Sequence, residues 1–433
     1  MSLVARIRGA TRSGQFRNVL LLVGGAAAGQ LLVIITLPLM TRLYTPAAFG
    51  IAAVFTSIIV PLNAVASFRY ELAIPIPASN EKAIDLLSAS LTIVAVNAIL
   101  LGITVAVIGR RLVDAAGVPE VGPYLWVLPV AFIGGGLYGA LTYYAIRHKA
   151  FREIAGTRVS QGSGQVIVQS ALGFAGWGPG GLVAGITARF WAGMVTMFRV
   201  TLRRVRPRQL FDSTKRFWTT VIEFRRFPLL TGNATFIQLL LQHIPALMVA
   251  IIYGPVVAGL LSLSLRLLEA PINMISKSTA QVYFSAASDL AHENPAGLKR
   301  LYTRTVGTAA LLAAPILLIV LLPAPWTFPF LFGDEWRDAG VYIQVLSVMF
   351  FLGFLAKTVG PETLTVVHKQ GLHLIIELIK AGLVALVFAV ALNADLEPVT
   401  VILGYGAAMS IGQLLFLWVG YREAARFGRV TAA

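Results

Sequence analysis

The chain has 433 residues, 57% of them hydrophobic and only 12% charged, with a mean hydropathy of +0.79. A soluble chain of this size carries about twice that charged fraction, so the composition excludes a globular enzyme with a simple anchor and points to an integral membrane protein. Cysteine is absent, which excludes disulfides, thiolate metal sites and cysteine nucleophiles. The net charge of +16 comes from bases clustered between apolar runs, the pattern of the positive-inside rule rather than of nucleic-acid binding.

In chain order, Arg6, Arg8, Arg12 and Arg17 precede an apolar run from Val19 to Met40. The run outlasts the apolar region of a secretory signal, so it reads as a first, uncleaved span. Windows of about 20 apolar residues predict twelve spans. The first six are 18–41, 47–68, 83–109, 122–146, 153–176 and 180–203, and the second six are 228–252, 256–288, 302–322, 339–363, 371–392 and 398–420. Most of the 35 lysines and arginines fall on one side in this scheme, and only Arg42, Arg110, Arg111 and Arg337 occupy loops on the other. The expected topology is therefore N-in and C-in.

The segment Arg203 to Arg226 is a long basic connection that divides the spans six and six. Phe211, Phe217, Trp218, Val221, Ile222 and Phe224 alternate there with bases, which fits either a solvated linker or a helix lying along an anionic leaflet. The expected organisation is an N-terminal lobe at 1–203, a linker at 204–227 and a C-terminal lobe at 228–433.

The halves echo each other. Tyr44, Pro46 and Gly50 repeat as Tyr253, Pro255 and Gly259, and Pro61-Leu62-Asn63 repeats as Pro271-Ile272-Asn273. Both copies enter from the same side, so the repeats are parallel, related by an axis along the membrane normal. Pro38, Pro61, Pro129, Pro245, Pro271 and Pro315 interrupt spans and permit bending.

Span 8 carries a polar stripe. Arg266, Glu269, Asn273, Lys277, Gln281 and Ser288 follow at spacings that keep them on one side of a helix. Arg266 falls about 15 Å along it from Val256, near the middle of a hydrocarbon layer about 30 Å thick. Ionisable groups at that depth face a bundle interior or a wet cavity and suggest a functional site; a structural pair between Arg266 and Glu269 is the alternative. Arg189 and Lys380 are also predicted near mid-depth, whereas Arg158, Arg199, Lys277 and Lys357 can snorkel. Arg158, Gln161, Gln165 and Gln169 form a second stripe in span 5, and Thr231, Thr235, Gln238 and Gln242 a third in span 7. Such stripes suit a cavity for a large, hydroxyl-rich anion, with bases for phosphate and amides for sugar. His243 reads as an interhelical histidine, and Asp334 to Asp338 as a cap on span 10. No H-E-x-x-H, P-loop or G-x-S-x-G motif occurs.

Four stretches carry a resemblance: LPLMTRLYTPAAFG, FRYELAIPIP, LSLRLLEAP through QVYFSAAS, and LFGDEWRDAG. Through them the chain resembles the polysaccharide biosynthesis (Wzx-type) flippases of the multidrug/oligosaccharidyl-lipid/polysaccharide exporter superfamily. The resemblance implies an all-α integral membrane protein with twelve transmembrane helices in two six-helix lobes, related by a pseudo-two-fold along the membrane normal, in a bacterial inner membrane. It implies no catalysis, cofactor or metal. Its implied task is to move an undecaprenyl-pyrophosphate-linked oligosaccharide from the cytoplasmic to the periplasmic leaflet for O-antigen, capsule or exopolysaccharide. Lipids and other polysaccharide-assembly proteins are the implied partners. On this reading Arg266 and Lys380 bind pyrophosphate, Arg189 follows, and Arg158 and Lys277 make the first contacts. Gln161, Gln165, Gln169, Gln238, Gln242 and Asn273 line the cavity. Glu269 and Glu377 either couple a proton or Na+ or hold Arg266 and Lys380, each three residues away, in place.

The rivals fit less well. A drug exporter of the same superfamily favours an anionic cavity. A peptidoglycan-precursor flippase usually has additional spans. A major-facilitator protein requires a glycine, aspartate and arginine pattern that FRYELAIPIPASNEK lacks, and a glycan polymerase or ligase requires a sizeable outer loop.

Overall fold

The computed structural model describes residues 14–205, 214–225, 233–321 and 324–430, and these form helices joined by short turns, with no strand among them. Arg6, Arg8, Arg12, Phe211, Arg226 and Thr231 lie outside the described residues. Nine stretches among the described residues are long and apolar enough to cross a membrane. The spans expected at 153–176, 256–288 and 302–322 also form helix.

Contacts divide the chain into two compact units, Met1–Gly259 and Leu260–Ala433, so the division falls inside a helix rather than in the basic linker. In the first unit, α1 (Gly14–Ile35) gives way at Thr36 to α2 (Leu37–Leu43). The Thr36 hydroxyl donates to Leu32 O and Val33 O, and Pro38 has no amide hydrogen to extend the ladder. α3 (Pro46–Ala64) starts with proline in its first turn and is capped by Thr45, whose Oγ1 accepts from Ala48 N at 3.3 Å. After a 3-10 turn at Tyr70–Ala73, α4 (Asn80–Thr104) passes through a π turn into α5 (Arg110–Ala115). α6 (Val127–Arg147), α7 (Phe151–Phe174), α8 (Pro179–Trp191) and α9 (Met194–Leu202) complete the apolar bundle.

Small residues set how closely these helices approach. A side chain at Gly25 or Gly29 of α1 would meet Ala155 O at 2.6 Å or Arg158 O at 2.3 Å of α7. The glycine- and alanine-rich run of α1 is thus a packing face, as small residues are in membrane bundles.

The linker contains the helix α10 (Thr214–Glu223), which packs within the first unit. Tyr70 Oη donates to Val221 O at 2.9 Å, and Lys82 Nζ pairs with Glu223 at 2.9 Å. Trp218 and Ile222, four residues apart, remain exposed.

Helix α11 (Asn233–Glu293) runs through the described part of the seventh expected span and all of the eighth, and its non-helical residue is Gly254, at φ 81° and ψ 176°. The repeated motif meets itself here. A Cβ on Gly50 would lie 1.8 Å from Pro255 O, and one on Gly259 1.8 Å from Pro46 O. Each copy's proline carbonyl rests on the other copy's glycine, a reciprocal contact that equivalent repeats produce.

In the second unit, α14 (Arg337–Val366) is flanked by α12 (Leu298–Leu321), α13 (Ala324–Phe332), α15 (Gln370–Asn393) and α16 (Pro398–Val430). Hydroxyl bonds stitch it: Ser264 to Ala339 O at 2.8 Å, Tyr283 with Thr363 at 2.7 Å and Tyr302 to Leu417 O at 2.8 Å. The acidic turn before α14 makes no side-chain cap; Asp334 pairs with Arg337 at 3.2 Å instead, and Trp336 is buried.

Candidate functional site: two groups of basic residues

The larger group lies in the second unit. α11 brings Arg266, Glu269, Asn273 and Lys277 to one side at helical spacing, and α14 and α15 add Lys357, His373, Glu377 and Lys380. Lys357 is the hub. Its Nζ donates to Asn273 Oδ1 at 3.0 Å, and it feels the charges of Glu269, Lys277, Glu377 and Lys380. Glu269 in turn faces Arg266 and Lys357, with Tyr405 of α16 near it.

Lys380 donates to both oxygens of Glu377, at 3.0 and 3.1 Å, and His373 Nε2 stands 3.9 Å from the same carboxylate. The lysine stem crosses Gly412 of α16, where a Cβ would sit 2.0 Å from Lys380 Cγ, so the glycine makes room for it. Four bases and two acids leave the group electropositive. Lys357 and Lys277 are exposed, whereas Arg266, Glu269, Asn273 and Lys380 are partly buried. Such a surface binds anions by charge-assisted bonds that a cation would not receive.

The smaller group lies in the first unit. Arg158 of α7 sits over the Tyr138 ring at 5.6 Å, and its Nη1 donates to Gln161 Oε1 at 3.3 Å. Its charge reaches Arg189 at the end of α8, and both arginines are exposed. Two neighbouring cations favour an anion between or beside them.

The glutamine row behaves differently from the expected cavity lining. Gln161, Gln165 and Gln169 are 6%, 3% and 3% exposed, set between α7 and its neighbours. Gln169 Nε2 donates to Leu182 O at 3.2 Å, its backbone carbonyl accepts from Tyr44 Oη at 2.6 Å, and its stem covers Gly185. The row is interhelical packing, because α1 and α8 have small residues where a wet lining would need space. Gln242 is exposed, and the side chain of Gln238 lies outside the described residues. No group of three His, Asp or Glu converges as a metal site among the described residues.

Sequence reasoning puts Lys357 in a span but outside the binding set, and it passes over His373. The charge closest to Lys357 on its own helix is Glu362, five residues on and off its face, so spacing along α14 gives no signal. Its partner Asn273, marked by the repeated proline-x-asparagine motif, is the available pointer.

The fold and these groups define a multi-pass membrane protein with basic clusters in helical bundles. The chain matches the polysaccharide biosynthesis protein family over residues 39–341, and it belongs to that family. No curated protein matches it in sequence. Among solved structures it is similar to the lipid II flippase MurJ in an inward closed conformation, at 12% identity and a TM-score of 0.70, covering 95% of this chain and 90% of that one. An inward-facing multidrug resistance MATE family transporter of the MOP superfamily matches at 14% identity and a TM-score of 0.65, covering 95% and 96%. A MOP superfamily transporter from Pyrococcus furiosus, described as having a binding pocket of reverse polarity that suggests a different function, matches at 15% and 0.57, covering 95% and 96%. The shared fold agrees with the all-helical, twelve-span architecture expected from the sequence.

Proposed function

We propose that the protein is a flippase that moves an undecaprenyl-pyrophosphate-linked oligosaccharide from the cytoplasmic to the periplasmic leaflet of a bacterial inner membrane by alternating access. The observation that carries this reading is the electropositive group around Lys357, with Arg266, Lys277 and Lys380, on helices of a polysaccharide biosynthesis family member. A pyrophosphate is the part of such a substrate that cations at membrane depth recognise. Arg158 and Arg189 supply a second anion contact, and Asn273 orients Lys357. Glu377 braces Lys380. Glu269 is the better placed acid for coupling to a proton or Na+, because it is partly buried beside Arg266 and Lys357 whereas Glu377 is 39% exposed.

The Pyrococcus furiosus neighbour supports reading function from the sign of the pocket charge. An exporter of cationic drugs would be repelled here, so the multidrug alternative is disfavoured. The concentration of lysines and arginines in the loops on the side of the N-terminus supports the N-in, C-in orientation, and further polysaccharide-assembly proteins are the expected partners.

The test is transbilayer movement of a fluorescent polyprenyl-pyrophosphate oligosaccharide in proteoliposomes, with Arg266→Ala, Lys357→Ala and Lys380→Ala compared at equal folded protein. Loss in these variants with retention in Arg422→Ala supports the reading. Movement that survives all three removes the site.

A further inference from the structure

Beyond the end of α3, outside the expected membrane span, the first unit buries a carboxylate. Glu71 is 7% exposed on the 3-10 turn Tyr70–Ala73. It accepts from the Ser67 hydroxyl, itself 3% exposed, and Arg69 Nη1 stands 3.5 Å from its Oε1. Two consecutive non-glycine residues, Phe68 and Arg69, hold left-handed backbone at φ 49° and 67°. Such conformations persist only where the surroundings impose them, and they cluster at switching segments.

The surroundings are a set of ties across the turn. Arg147 at the end of α6 closes the next loop, donating to Pro77 O at 2.6 Å and Ser79 O at 3.2 Å, while Tyr70 is tied to α10 through Val221. Water therefore reaches the carboxyl freely only when the segment moves.

We propose that Glu71 is a proton-binding site that governs this segment: the neutral acid stays packed, and the ionised acid opens residues 65–80 toward water. Burial pushes the Glu71 carboxyl above the ordinary carboxylate range, and Ser67 and Arg69, which favour the charged form, offset that in part. Its raised value means that the packed arrangement is favoured at low pH and loses that advantage as pH rises through the Glu71 titration.

Tyr143 on α6 feels the charges of Glu71, Arg69 and Arg158, and α4, which packs against the turn, carries Glu81, Lys82 and Asp85. Lys82 is engaged by Glu223 of α10, and Arg147 by the loop carbonyls. The site is independent of what the protein transports, and it supplies what a proton-driven cycle requires, a proton bound in one arrangement and released in another.

Hydrogen–deuterium exchange on the full chain in lipid nanodiscs tests this between pH 5.5 and 8.5, with intrinsic exchange corrected from peptides elsewhere in the chain. Opening of 65–80 in the wild type is expected to rise by up to about tenfold per pH unit above the midpoint. Glu71→Gln is expected to stay protected throughout, and Ser67→Ala to move the midpoint up by about one unit. An unchanged pH dependence in Glu71→Gln, greater protection of the wild type at alkaline pH, or an unmoved midpoint in Ser67→Ala would each overturn the proposal. Ser67→Ala carries the test if Glu71→Gln does not fold.

Discussion

The repeated proline-x-asparagine motif has two fates. In the second unit Asn273 accepts from Lys357 and belongs to a charged group. In the first, Asn63 is pressed on Gly135, where a Cβ would lie 2.3 Å from its Oδ1, and neither amide atom has a hydrogen-bond partner among the described residues. Where α14 presents a lysine, α6 presents Gly135. One backbone plan therefore carries a polar site in one half and close packing in the other, and the difference lies in the facing helix, not in the motif.

The sharpest way to break the shared part of the plan is at the reciprocal crossing. Gly259→Val and Gly50→Val each drive a side chain into a proline carbonyl that sits 1.8 Å from the Cβ position. Each is expected to cost about 3 kcal/mol and to lower the thermal midpoint in detergent. Gly139→Ala, with nothing within 4 Å, is the control and should stay within about 0.5 kcal/mol.

The next largest effect separates the two asparagine environments. Lys357→Ala removes a charge-assisted bond and a basic contact, worth about 1.5–3 kcal/mol, or roughly ten- to a hundredfold in anion affinity. Titration with a polyprenyl pyrophosphate checks it. Asn63→Ala is expected to leave that affinity within about twofold and to keep or raise stability, because the amide it removes is buried without a partner among the described residues.

Much of this is legible in the sequence, for physical reasons. Apolar run length marks most of the spans, and the double Y-x-P-x-x-x-G motif marks the repeat, because both are local. The fate of polar residues is not local. Gln161, Gln165 and Gln169 share the spacing of the span 8 stripe, yet the first row is buried, and the glycine that receives Gln169, Gly185, belongs to another helix. Lys357 shows the converse, since its partner lies on α11.

Smaller effects come from pH, and here two residues in the same half oppose each other. His148, at the end of α6, is held below the usual imidazole range by burial and then by Arg204 and Arg147. A lowered value means the unfolded chain takes the proton first, so stability is lost as pH falls through the unfolded value near 6.5. Glu71 is shifted upward, so its contribution is lost in the other direction, as pH rises through its titration. His148→Asn should flatten the acid side of the stability–pH curve by about 1 kcal/mol or less, and Glu71→Gln the alkaline side. Chemical unfolding at a series of pH values separates the two; a single common slope in both variants would refute the assignment.

The smallest effect distinguishes a brace from a coupling acid. Glu377 is 39% exposed beside Lys380 at 16%, and solvent screens a pair three residues apart. Glu377→Gln should therefore change stability by less than about 1 kcal/mol. If Glu377 only positions Lys380, the variant weakens anion binding a few-fold while the pH and Na+ dependence of lipid movement stays that of the wild type. If that ion dependence disappears with the carboxylate, Glu377 is the coupling acid, and Glu269 is left as a structural partner of Arg266 and Lys357. Lys380→Met removes the base in either case, so it lowers affinity under both readings and leaves Glu377→Gln as the variant that decides between them.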